Sequence, residues 1–184
     1  MECITRNELD IIKEFRLLWN QHSEWTRMAI DAIVFNLPNE EQVVNRLLRN
    51  PKDFGMTFSR FYGSSIGNRF SDLLTEHLVL AADLIKAILA GNLEEANEIN
   101  ARWYRNAEEI AEFLGRINPC WSEEEWREMY FEHLQFVADE AMTLINGEYQ
   151  RNIDVYDALE EQAMEMADTM SEGIIDQFIR QCCR

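Results

Sequence analysis

Three histidines, His22, His77 and His133, are all that the 184-residue chain contains, and each stands at the same point of the same apolar pattern. Residues 76–91 read EHLVLAADLIKAILAG and residues 132–147 read EHLQFVADEAMTLING. An imidazole can take up a proton near neutrality, bind a transition metal, or hydrogen-bond a ligand or a neighbouring side chain. The surroundings decide among these. On a helix, positions three, four and seven residues away share a face with the central residue. Around His77 they hold Phe70, Leu73, Leu74, Leu80, Ala81 and Leu84; around His22, Phe15, Leu18, Trp19, Trp25, Thr26 and Ala29; around His133, Trp126, Met129, Tyr130, Phe136, Val137 and Glu140. The pattern predicts that all three rings are buried. A buried ring nitrogen without a partner costs about 1–3 kcal/mol, so side chains, carbonyls, water, a metal ion or a ligand must satisfy them.

The metal version has a definite form. If the three histidine helices surround one axis, His22, His77 and His133 supply three nitrogens at one height, and Glu140 or water takes the remaining position of an open site suited to zinc or iron. No histidine has Glu, Asp or His three or four residues away. The E-x-x-H pairs of di-iron bundles and the H-E-x-x-H pair of zincins are therefore absent, and chelation would have to arise between helices. Residues level with the histidines on the returning helices are Asn50, Arg105 with Asn106, and Glu161 with Gln162. Asn50, Asn106 and Gln162 are the candidate partners behind the rings, although Asn50 is also expected to cap a helix. The plainer reading is a buried polar layer that fixes which helices face each other. Trp19, Trp25, Trp103 and Trp126 could wall a ligand pocket, yet aromatic residues at helical spacing are commonly core. No nucleophile stands with a base, and the pairs Glu108 with Glu109 and Glu160 with Glu161 belong to solvated faces, so no catalytic residue is assigned.

The elements that carry these residues come in three copies. Phe15, Phe70 and Trp126 stand seven residues before the three histidines, and Asn36, Gly91 and Gly147 follow them by fourteen. This predicts three helical hairpins, at about 7–62, 65–117 and 122–180, within one domain spanning 1–184. Thr5-x-x-Glu8 and Ser122-x-x-Glu125 have capping-box form, and Asn39 and Asn92 offer N-cap side chains after the C-cap candidates Asn36 and Gly91. The first copy should break at RNPKDF, where Pro51 lacks an amide hydrogen, with Asn50 as cap and Asp53 in the new first turn. FYGSSIGNRF and INPCW read as connectors.

Composition narrows the class. Apolar residues make up 47% of the chain, with only seven Gly and three Pro, as expected of a folded helical domain. The formal charge of -17, with no basic patch, argues against nucleic-acid binding and leaves mimicry of nucleic acid as a rarer alternative to simple solubility. No apolar stretch approaches a membrane span and the N-terminus lacks an apolar leader region, so a cytoplasmic protein is expected. Cys3, Cys120, Cys182 and Cys183 show neither C-x-x-C nor regular spacing, and reduced thiols are the simple expectation.

With LWNQHSEWTR, LLRNPKDF, FYG, LLTEHL, WYRNAEEIAEFL, INPCWSEEEW and EQAMEMAD in view, the chain resembles a group of short acidic bacterial helical proteins that often carry the label acetylglutamate kinase. The resemblance runs from about Phe15 to Phe178 and implies a shared helical fold. It carries no activity, cofactor or catalytic residue with it. The label conflicts with the residues: such kinases have strands and glycine-rich phosphate loops, whereas this chain has helical periodicity throughout. Kinase activity is not expected.

The expectation is thus an all-α bundle of about six major helices in three hairpins. Its function is read as non-enzymatic binding of a metal ion or small ligand at His22, His77, His133 and Glu140, the alternative being an interaction or scaffold protein with a purely structural polar layer. An exposed apolar helix face could support a homodimer, and the ligand or protein partner is otherwise unspecified.

Overall fold

The computed structural model describes residues 4–181. Among them the chain forms seven α-helices: α1 (Arg6–Val34), α2 (Glu40–Leu47), α3 (Asn50–Tyr62), α4 (Ser64–Leu89), α5 (Leu93–Ile117), α6 (Glu123–Ile145) and α7 (Tyr149–Ile175). A π-helical turn, Asp176–Arg180, continues α7. The protein is an all-α bundle. No helix is long and apolar enough to cross a membrane among the described residues.

Helix limits follow local chemistry. Thr5 caps α1 in a reciprocal box with Glu8, and the Ser122 hydroxyl accepts from the Glu125 amide to start α6. At the expected C-cap positions Asn36, Gly91 and Gly147 adopt positive φ (49°, 74° and 74°), the left-handed turn that closes a helix and lets the chain reverse. Asn39 and Asn92 precede α2 and α5 but make no side-chain cap bond. Asn92 turns instead to the Glu95 carboxylate.

The first returning helix is split at Pro51, as expected, into α2 and α3. The expected cap is a correction: Arg49 is the N-cap residue of α3, with no side-chain cap bond, and Asn50 lies inside the helix, fully buried. Its amide is committed elsewhere, as described below. A second correction concerns Cys120, expected reduced, which is disulfide-bonded. Nothing near it in sequence announces a pairing. Cys3, Cys182 and Cys183 lie outside the described residues.

Helix α2 packs on α1, each helix from α3 to α7 packs on the next, and α7 returns to α1 to close the bundle. Helices α3 and α4 approach closely where Gly55 faces Gly67; a methyl group on Gly67 would strike the Gly55 carbonyl and the Ser59 hydroxyl. Seven residues before the histidines, Phe15, Phe70 and Trp126 are fully buried and belong to an aromatic floor. Phe58 stacks on Phe70 at 4.2 Å and meets Phe15 and Trp121 edge or tilted, and Trp121 meets Trp126 edge-on. The histidine layer rests on this floor.

Candidate functional site

Helices α1, α4 and α6 carry His22, His77 and His133 into the middle of the bundle, each ring only 2% exposed. The apolar stripes dictate this, because the residues around each histidine can leave water only by facing the other helices. The His22 and His133 rings lie 5.6 Å apart, centre to centre. His77 packs against Tyr130, whose ring is 5.8 Å away. Trp19 packs against both His22 and His133, at 5.3 and 6.0 Å, and Trp103 against His77 at 5.5 Å.

Each ring is held in the same way. His22 Nδ1–H donates to Asn50 Oδ1 at 3.1 Å, His77 Nδ1–H to Asn106 Oδ1 at 2.8 Å, and His133 Nδ1–H to Gln162 Oε1 at 2.9 Å. The amide nitrogens then donate to the carbonyls of Leu18, Leu73 and Met129, each one turn before the histidine, at 2.9, 3.1 and 2.9 Å. This second bond settles the tautomer. A backbone carbonyl can only accept, so the amide NH2 must face it, the amide oxygen faces the ring, and Nδ1 carries the proton. Nε2 is then the unprotonated nitrogen of all three rings.

Burial keeps the rings neutral. The pKa of His22 falls from 6.5 to about 3, first through burial and then through the charges that His133 and His77 would carry. Burial likewise takes His77 to about 3 against the opposing bond to Asn106, and lowers His133 against that to Gln162. Around these acceptors lie donors without partners. Trp19 Nε1, Trp103 Nε1 and the Tyr130 hydroxyl, on rings that contact the histidines, are buried with no hydrogen bond, as is Trp126 Nε1 in the floor below. Tyr130 touches Trp19, His77 and Trp126, so donors and lone pairs share one region.

Glu140 is brought close but into another arrangement. It is fully buried two turns beyond His133, and Arg27 Nη1 donates to its Oε1 at 3.0 Å. Burial pushes its pKa up to about 7, opposed by Arg27 and reinforced by the nearby Asp31 charge. Among the described residues no group of three or more His, Cys, Asp or Glu side chains is gathered closely enough to hold a metal ion. Asn50, Asn106 and Gln162 stand behind the rings as expected. Trp25 does not join the layer: Arg46 lies over its ring at 4.8 Å, and it packs on a smaller cluster with Val43 and Leu47. Tyr130, Arg27 and Asn152 were not singled out from the sequence; their only signals there were a place on the His133 stripe for Tyr130 and the adjacency of Arg27 to Thr26 on the His22 stripe. A surface cleft at Asp83, Lys86, Asn92, Glu95 and Arg102 includes no histidine.

No family model matches the chain, and no curated protein and no solved structure matches it.

Proposed function

We propose that this chain is a non-enzymatic binding bundle whose buried histidine layer takes up a small polar molecule. The observation that supports this reading is that three rings with proton-free Nε2 atoms pack against Trp19, Trp103 and Tyr130, whose N–H and O–H donors are buried and unpartnered. Those donors find no acceptor within the protein, and each unmet buried donor costs about 1–3 kcal/mol. A guest that both accepts and donates hydrogen bonds recovers that cost, and the aromatic walls exclude anything bulky or strongly hydrated.

A metal ion such as zinc or iron is the second reading. One observation favours it: a ring whose Nδ1–H is tied to an oxygen acceptor is oriented as metal-bound histidines usually are, leaving Nε2 to ligate. The absence of a gathered three-ligand group among the described residues, and the indole N–H groups that would face the cation, favour the uncharged guest. The rival is an interaction or scaffold protein in which the layer only joins helices.

Protein purified without a metal-affinity tag and weighed by native and denaturing mass spectrometry tests all three. A mass released on unfolding is expected under the first reading, and near-stoichiometric zinc or iron by elemental analysis under the second. A bare chain mass in both, with water alone filling the layer in a high-resolution crystal structure, rejects binding and leaves the scaffold role.

A further inference from the structure

The histidine layer is closed on all sides, so a guest needs a way in. Helices α1 and α6 run parallel in a fixed register. Trp19 meets Tyr130, His22 meets His133, and Arg27 meets Glu140, in that order along both helices. Above the layer two polar side chains, Thr26 and Glu140, interrupt the apolar faces of α1 and α6. Thr26, one turn beyond His22, is buried with its hydroxyl unpartnered, and Glu140 keeps Oε2 without a partner although its side chain is wholly buried. The next group outward is Arg27, whose side chain is 25% exposed.

Arg27 is a removable cross-link at that point. One nitrogen donates to Glu140 on α6, the other to Asn152 Oδ1 on α7 at 3.0 Å, and the guanidinium lies over the Tyr156 ring of α7 at 4.2 Å. Asn152 is itself anchored to α6 through the Glu140 carbonyl and the Thr143 hydroxyl. The rim is thus held by α6 and α7, while the bolt across it comes from α1. A long, part-exposed side chain can swing into water on a flexible stem, which the buried groups beneath it cannot do.

We propose that the Arg27–Glu140 ion pair is the latch of a passage along the α1–α6 seam into the histidine layer, and that the passage admits small uncharged molecules. The identity of the guest rests on the binding role proposed above; the passage itself does not. Anions meet a carboxylate at the threshold and a chain of formal charge -17. Strongly hydrated cations meet the indole and phenol donors inside.

Diethyl pyrocarbonate, a small uncharged reagent that acylates unprotonated imidazole nitrogen, reads the passage directly when each histidine is followed by peptide mass. Arg27→Met should speed labelling of His22 and His133 at least ten-fold, with the fold intact by circular dichroism. Arg16→Met, which breaks the other α1 cross-link to α7 at Asp168, should not. If Arg27→Met alone does not fold because Glu140 is stranded, Arg27→Met with Glu140→Gln replaces it and the same acceleration is expected. Equal labelling in the Arg27 and Arg16 variants, or labelling that rises only with global unfolding in denaturant, overturns the latch. A layer found to carry no guest with fast labelling in the Arg27 variant rejects the binding role alone; a guest found with unchanged labelling rejects the latch alone.

Discussion

The tautomer of a buried histidine is decided by whichever neighbour has no freedom to reverse. Here that neighbour is a backbone carbonyl of the histidine's own helix, and an Asn or Gln amide passes the constraint on to the ring. The same two-bond clamp at three places leaves three equivalent Nε2 lone pairs, so the rings themselves accept hydrogen bonds toward the layer and donate only to their amide partners. The clamp also sets the outcome of mutation. His77→Leu strands the Asn106 oxygen and should destabilise by about 1–3 kcal/mol. The double change with Asn106→Leu removes both polar partners and should recover part of that loss. Denaturant melts of the four-member cycle measure the coupling; strictly additive losses would show that the pair is not a unit.

Helices meet where their surfaces let them, and α3 and α4 come close because neither Gly55 nor Gly67 has a side chain at the crossing. Their contact seats Phe58 on Phe70, which in turn supports the layer carried by α1, α4 and α6. Gly67→Ala should therefore push α3 away from α4 and cost roughly 1–3 kcal/mol or more, since overpacked backbone cannot yield as a side-chain tip can. A lowered melting temperature with weakened near-ultraviolet dichroism of the aromatic floor is the expected result; an unchanged melt would mean that the crossing is looser than the structure has it. The split between α2 and α3 has a related logic. Pro51 interrupts the returning helix, and the restart carries Asn50 inward to His22 where a continuous cap-and-turn would have used its amide at the helix end.

At the scale of the whole molecule, stability should respond to pH with two opposite signs. The three histidines have folded pKa values below their ordinary 6.5, so the unfolded chain binds their protons first. Their contribution is complete above about pH 6.5 and is lost as pH falls below it, at roughly 1.4 kcal/mol per histidine per pH unit until the buried rings themselves protonate. Glu140 has the reverse sign: raised from 4.5 to about 7, it adds stability below 4.5 that is lost as pH rises through 7. Acid melts should thus show a steep fall from pH 6.5 to 5, and Glu140→Gln should gain on the unaltered protein between pH 5 and 8. A flat profile from pH 7 to 5 would contradict burial of neutral histidines. Much of this was legible in the sequence. Stripe spacing and turn residues determined the helices, the reversals at Asn36, Gly91 and Gly147, the break at Pro51 and the burial of His22, His77 and His133, because periodicity and backbone preference are local properties. Asn50, Asn106 and Gln162 were reachable by counting back from each turn. Only the tertiary structure decided that Asn50 is a ring partner and not a cap, that Tyr130 contacts both His77 and Trp19, that Glu140 belongs to Arg27, and that Cys120 is bonded. Those outcomes depend on the register between helices distant in the chain, which side-chain fit at the crossings sets and no local pattern encodes.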